Sequence, residues 1–286
     1  MATLRDIKRK ISSINSTQTI TRTMKMVSAA KLRKAQEELE KIKDYAVKME
    51  ELTGRVVKNM PEDAHPLLMA RDEIKKVLIV SIGSDRGLCG AFNTNIGLHA
   101  QNFTLQNRDK YERIGVYVFG RKVRDYLQRR KVDVVKSWVD VKKIDQELVN
   151  VVADELINLY LNGEFDKIYL SYTYFKSAVR QEVIFEEFVP IKTPEDAEYI
   201  DYLCEPDRIN IVESLIPRYI GTKIYYALVE SQTSEHAARM SSMENATTNC
   251  GDMVKYLTLV YNKRRQETIT NEMMDIVGGA EALRGK

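Results

Sequence analysis

The sequence predicts a mixed α/β protein. Two long helices, one from each end of the chain, are expected to pair as an antiparallel coiled coil, flanking a central α/β domain with a mainly parallel sheet. Three observations predict it. Apolar residues recur at alternating three- and four-residue spacing through the first 58 residues. Short β-branched runs alternate with helical stretches from residue 75 to about residue 205. The helical pattern resumes after Glu205-Pro206 and persists to Leu283. The expected division is a helix over 1–58, a linker over 59–74, a central domain over 75–206 and a second helix over 207–286.

The first helix rests on a seam of Leu4, Ile7, Ile11, Ile14, Gln18, Thr21, Lys25, Ser28, Leu32, Ala35, Leu39, Ile42, Ala46, Met49, Thr53 and Val56, of which eleven of sixteen are apolar and none is proline. At 1.5 Å per residue such a helix would run roughly 84 Å. Gly54, Pro61 and the His65-Pro66 pair mark its end and the linker. Between Met1 and Lys34 nine basic residues face one acid, Asp6, a local +8. Four readings compete for that charge: a mitochondrial presequence, a surface for nucleic acid or anionic membrane, a solvated helix face, and a basic helix facing an acidic protein partner. The helical pattern runs on to about Val57 without a cleavage junction, which argues against the first.

In the central stretch Lys76–Ile82, Arg113–Phe119, Val132–Val139 and Lys167–Tyr174 read as strands. Helices are expected near Ala91–Gln106, Arg121–Arg130 and Gln146–Leu161, an alternation that implies a Rossmann-like parallel sheet covered on its faces. Val179–Val189 reads as a further, antiparallel edge strand after a tight turn near Lys176–Ser177. In the last helix Asp207 is a candidate N-cap, and Pro217 is expected to kink the helix or divide off a short first piece. Three/four spacing returns at Met243, Ala246, Cys250, Met253, Leu257 and Val260, and again at Ile269, Met273, Ile276, Ala280 and Leu283.

If the two helices are level at Lys58 and Arg208, residue i lies near residue 266−i. The weakest part of the first seam, Asn15–Ser28, then falls opposite Ala238–Gly251, a stretch that is also small and polar. Two weak segments at one level imply a narrow, polar neck. The same arithmetic leaves roughly 20 residues of the second helix unpaired, about 30 Å. A single helix with so wide an apolar surface has to be surrounded by something else.

Composition narrows the function. The chain has 286 residues, with Lys+Arg 44 against Asp+Glu 41, a formal +3 too small to mark a nucleic-acid binder by bulk charge. Cys89, Cys204 and Cys250 are far apart without a CxxC, which fits a reducing compartment and no disulfide framework. The turn Gly83–Gly90 (GSDRGLCG) follows a strand and precedes a helix, where phosphate loops occur, but it has neither G-x-G-x-x-G nor Gly-Lys-Ser/Thr. His65, His99 and His236 are scattered, so neither a metal cluster nor a base for Ser84 or Cys89 is expected. No catalytic residues, cofactor or metal are expected. The residues alone point to a mechanical or scaffolding protein. A nucleotide-binding Rossmann-like protein and a basic coiled-coil adaptor stay open as alternatives.

The opening LRDIKRKISSINSTQTITRTMKMVSAAKLRKAQ, the turn SDRGLCGAFN, the segment SEHAARMSSMENATTN and the ending LVYNKRRQETITNEMMDIVGGAEAL closely resemble the gamma subunits of F-type ATP synthases, nearly end to end. The resemblance implies a central-stalk rotor without its own catalysis, present once per complex. Its coiled coil would pass through a hexamer of alternating alpha and beta subunits. Its central domain, with the epsilon subunit, would dock on the membrane c ring. Met24 matches the family methionine that meets the acidic lever loop of beta, flanked here by Arg22 and Lys25; many relatives carry Glu where Lys25 stands. Arg239, level with residue 27 in the expected register, is expected to bond polar groups across the neck and, by the resemblance, to count with Met24, Arg22 and Lys25 among the contacts to the alpha/beta hexamer. Arg265 and Gln266 match a pair that forms a catch with beta, and Thr270, Glu272 and Asp275 match polar positions near it. Tyr202, Cys204 and Glu205, in YLCEPD, resemble the region facing the c ring and epsilon. The inserted loop with a regulatory cysteine pair found in plant chloroplast relatives is missing, so thiol regulation of that kind is not expected. The implied setting is the cytoplasmic face of a bacterial inner membrane, peripheral, with no nucleic-acid partner.

Overall fold

The computed structural model describes residues 3–58, 60–61, 64–192, 205 and 207–284, with side chains as far as 280. The elements in chain order are α1 (Leu4–Val57), β1 (Lys76–Ile82), α2 (Phe92–Gln106), β2 (Arg113–Phe119), α3 (Arg121–Arg129), β3 (Asp133–Trp138), α4 (Gln146–Leu161), β4 (Lys167–Phe175), β5 (Gln181–Val189) and α5 (Arg208–Arg284). The strands form one sheet in the order β3-β2-β1-β4-β5. Its first four members are parallel and β5 is antiparallel to β4, as the alternation predicted. The β4–β5 turn closes at Ser177, whose N–H bonds the Arg180 carbonyl at 3.0 Å.

Two compact units divide the chain: Met1–Val27 with Met240–Lys286, and Ser28–Arg239. In the larger unit both faces of the sheet are buried, which is why β1 reads as one continuous apolar run. Val77 and Ile79 point into a cluster with Ile96 and Ala100 of α2 and Val123 and Leu127 of α3. Leu78, Val80 and Ile82 point the other way, into a cluster with Val149 and Leu156 of α4, Val56 of α1 and Ile216 and Ile220 of α5. The period of two in the strands thus sorts alternate residues into two cores.

Local chemistry sets the helix ends. Thr3 caps α1, its Oγ1 accepting from the Asp6 N–H at 3.2 Å while Asp6 Oδ2 accepts from the Thr3 N–H at 3.0 Å. Asp207 caps α5 through the Asn210 N–H at 2.8 Å, as expected, and Asp145 caps α4 through Leu148 N–H at 3.1 Å. All sixteen seam positions of α1 are buried or half-buried.

Of the two outcomes expected at Pro217, division does not occur: α5 continues as one 77-residue helix. Val212, Ile216, Ile220 and Ile224, spaced by four, are each fully buried. Burying each such side chain contributes roughly 1.5–3 kcal/mol, which outweighs the ~3 kcal/mol that an interior proline costs.

In the smaller unit the expected register is met to within about three residues. Gln18 Nε2 bonds Thr247 O at 3.3 Å, Thr21 and Thr247 share a hydroxyl bond of 2.8 Å, and Lys25 Nζ reaches Glu244 Oε1 at 2.6 Å. One seam position of α5 is misassigned by strict spacing. Met253 is 54% exposed, and Val254 takes the half-buried place beside Cys250 and Leu257.

Candidate functional site

The polar neck expected from two weak seams is present in the smaller unit. Side-chain hydrogen bonds replace apolar knobs, and Gly251 leaves room for Gln18, since a Cβ there would lie 2.9 Å from Gln18 Nε2. A shallow cleft of about 300 Å³ is lined by Gln18, Thr19, Arg22, Lys25, Glu244, Thr247 and Thr248. Arg22 is exposed and Met24 half-buried. The charge that Lys25 adds is partly met within the chain, because Glu244 pairs with it.

Arg265, Gln266, Thr270, Glu272 and Asp275 lie together in a stretch, residues 265–280, that is exposed on every side. Thr270 Oγ1 bonds back to the Gln266 carbonyl at 2.9 Å, so it is held to its own helix. Among them stand Ile269, Met273, Met274, Ile276 and Val277, all exposed and together covering a broad apolar face. This is the unpaired helix end that the register implied.

Arg239 departs from its expected place. It does not bond polar groups of α1; it is 8% exposed, and its Nε and Nη2 each donate at 3.2 Å, to the carbonyls of Gly87 and Arg86. Its guanidinium also pairs with Glu235 Oε1 at 2.6 Å, one helical turn earlier. The equal-rise register fixes the level of a residue along the helix but not its azimuth. Arg239 faces the Gly83–Gly90 turn.

That turn is tied down from several sides. Ser84 N–H donates to Asn93 Oδ1 at 2.9 Å and Ser84 Oγ to the Arg86 carbonyl at 2.8 Å. The Asp85 carboxylate accepts from the N–H groups of Arg121 and Asp140, both at 2.9 Å. Gly120, with φ +93°, packs against it so closely that a Cβ would lie 2.6 Å from Ser84 N. Gly120→Ala is therefore expected to cost about 2–3 kcal/mol, because backbone, not a flexible side chain, must give way; denaturant unfolding of the chain measures it. Burial raises the Cys89 thiol pKa and lowers that of His236 to about 4, so neither is primed as nucleophile or cation at neutral pH.

In a doubly wound sheet the ligand crevice lies beyond the carboxyl ends of the strands where their order reverses, here between β1 and β4. The chain fills that place itself. Ser231 Oγ of α5 accepts from Thr173 N–H at 3.1 Å and donates to the Ile82 carbonyl at 3.2 Å, and Glu230 Oε2 accepts from Phe175 N–H at 2.9 Å. Glu230 and Ser231 are each 2% exposed. Sequence reasoning missed these two residues, although polar side chains inside the apolar stripe of α5 were their signal. Among the described residues no group of three or more His, Cys, Asp and Glu is placed to hold a metal ion, and no helix is long and apolar enough to cross a membrane. Tyr202 and Cys204 lie outside the described residues; Glu205 is described and exposed.

Comparison with known proteins gives a consistent picture. The family model described as ATP synthase matches residues 3–283. A protein named ATP synthase gamma chain from an Anaeromyxobacter species is 44% identical over 291 residues, covering 99% of this chain and 100% of that one. Another of that name from Moorella thermoacetica is 43% identical over 288 residues, covering 99% of this chain and 100% of its own. Among solved structures, a chain of the Tetrahymena thermophila mitochondrial ATP synthase central stalk and c-ring aligns with TM-score 0.61 at 27% identity, covering 79% of this chain and 99% of that chain. A chain of the Euglena gracilis mitochondrial ATP synthase shares the fold with TM-score 0.71 at 19% identity, covering 98% of this chain and 94% of that chain.

Proposed function

The chain belongs to the ATP synthase family, and from that premise we propose that it works as the gamma subunit, the central-stalk rotor that couples ion-driven rotation to ATP synthesis or hydrolysis on partner subunits. The single observation that carries the mechanical reading is the C-terminal stretch 265–280, whose exposed Ile269, Met273, Met274, Ile276 and Val277 need a surrounding partner. A sleeve of alternating alpha and beta subunits meets that need. In this reading 1–58 and 207–286 form the shaft, 59–74 the linker and 75–206 the domain that meets epsilon and the c ring. Glu205, with Tyr202 and Cys204, belongs to that second contact.

The chain then has no catalytic residue of its own. Its role is to make the energy of each stator conformation depend on rotation angle, since a rotor biases an equilibrium only through contacts that differ between states. Met24, Arg22 and Lys25 at the neck, and Arg265, Gln266, Thr270, Glu272 and Asp275 beyond it, are the proposed contacts with the alpha/beta hexamer. Arg239 acts on the turn within its own chain instead. The setting is peripheral, at the cytoplasmic face of a bacterial inner membrane. A nucleotide-binding role is disfavoured by the filled crevice, because a phosphate there would have to displace the buried Glu230 carboxylate.

Co-purification of the tagged chain from its native membranes tests the reading. One copy travelling with three alpha and three beta subunits is expected, and recovery free of them would overturn it. Met24→Lys should place a strongly hydrated charge beside Arg22 and Lys25 and slow coupled turnover by roughly three- to tenfold, about 1 kcal/mol of barrier. Steady-state hydrolysis and ion pumping that match wild type would reject that contact.

A further inference from the structure

We infer that Glu230, Ser231 and Ser234 of α5 are positioning residues that make the attachment of helix to sheet stiff against sliding, and so carry torque between the α/β domain and the shaft. The inference rests on the rotor reading and names the residues through which that rotor is rigid.

β1 pairs with β4 only as far as Ser81 opposite Ser171, whereas β4 runs on to Phe175. Among the described residues, the backbone groups of Thr173 and Phe175 on that side have no strand to meet. Side chains of α5 take the strand's place. Thr173 N–H donates to Ser231 Oγ at 3.1 Å, and Thr173 O accepts from Ser234 Oγ at 3.1 Å. Phe175 N–H donates to Glu230 Oε2 at 2.9 Å, and Tyr226 O–H holds the other carboxylate oxygen at 2.6 Å. Ser231 also donates to the Ile82 carbonyl at 3.2 Å, so one hydroxyl joins α5, β1 and β4. Ser234 is fully buried and Thr173 is 3% exposed.

Two kinds of contact therefore hold this part of α5 to the sheet. The apolar stripe of Val212, Ile216, Ile220 and Ile224 supplies most of the adhesion, but burial of apolar surface is non-directional and resists a small lateral slip weakly. Hydrogen bonds weaken steeply with angle and distance, so a displacement of a few tenths of an ångström is opposed at once. Glu230, Ser231 and Ser234 span just over one helical turn, so they oppose both rotation of α5 about its axis and sliding along it. An apolar side chain at each place would bury as well yet leave the β4 end unpaired and the helix free to slip.

The test uses the assembled enzyme immobilised through its alpha/beta hexamer. A bead is attached at Val179→Cys, 87% exposed at the β4–β5 turn, with Cys204 and Cys250 changed to serine. The angular variance of the bead during catalytic pauses reports torsional stiffness. E230A/S231A/S234A should raise that variance by about two-fold, since the directional share of the attachment is gone while the apolar share stays. E230Q, which still offers an acceptor to Phe175 N–H, should stay near wild type. S231A/S234A, which changes little volume, gives the same reading if the triple variant does not assemble. L127A, in the core on the other face of the sheet, should lower thermal stability without broadening the distribution. Wild-type variance in the serine double variant, or equal broadening in L127A, overturns the inference. A wild-type bead that never turns with ATP overturns the rotor reading itself, and the inference falls with it.

Discussion

Replacing Arg239 by alanine should destabilise the chain by about 3–5 kcal/mol, the range for breaking one partner out of a buried ion pair. The Arg239 and Glu235 side chains are 10% and 16% exposed and pair at 2.6 Å. Removing the guanidinium leaves a buried carboxylate without its cation and the Gly87 carbonyl without this donor, while the Arg86 carbonyl keeps the Ser84 hydroxyl. The loss should depend on pH with a definite sign. Burial raises the pKa of Glu235, with Asp85 adding to the rise, while Arg239 and more weakly Lys31 oppose it. A carboxyl whose folded pKa is raised favours folding below its unfolded pKa, about 4.3, and loses that contribution as pH climbs through the folded value. Without Arg239 the folded value moves higher still. The deficit of R239A relative to wild type should therefore be larger at pH 8 than at pH 5, measured by denaturant unfolding at both. E235L added to R239A should recover part of the loss, because no uncompensated charge then remains. A deficit below about 1 kcal/mol at pH 8, or one that grows on acidification, would contradict the assignment.

Much of this fold is written in simple periodicities. The two-residue alternation of β1 and the three/four seam of α1 each reflect a burial pattern set by backbone geometry alone, so strand and helix bounds could be read to within a few residues. Antiparallel pairing at equal rise then placed Gln18 near Thr247 and Lys25 near Glu244 without any tertiary knowledge. What was not legible is azimuth and long-range satisfaction. Met253 and Val254 are both apolar neighbours, and which one faces the partner helix depends on a drift of helical phase that strict spacing ignores. Arg239 looked like a neck contact because its level was known and its direction was not. Glu230 and Ser231 drew no expectation from the sequence; only the early end of β1 reveals what they satisfy. Pro217 does not end the helix, since its local propensity is outweighed by four buried residues on the same stripe.

Removal of residues 267–286 should leave the folded chain intact while sharply reducing torque. From 265 to 280 every side chain is exposed, so residues 267–280 add almost nothing to the chain's own core. Its loss should change unfolding stability by no more than about 0.5 kcal/mol, the usual scale for surface changes. Inside a sleeve the accounting differs. Ile269, Met273, Met274, Ile276 and Val277 are half to nearly three-quarters exposed in the chain by itself, and covering all five would contribute on the order of 5–10 kcal/mol. Torque draws only on the part of that energy that varies with angle, which the asymmetric spacing of one helix makes unequal among the stator's faces. The truncated chain should thus still assemble through its neck, where Lys25, Glu244 and the Gln18–Thr247 pair remain, and rotate with torque lowered by about two-fold or more. Single-molecule rotation under load reads the torque, and thermal unfolding of the isolated truncated chain reads the fold. Full torque from the truncated rotor would show that the neck and the α/β domain suffice, and that the exposed apolar end has another use.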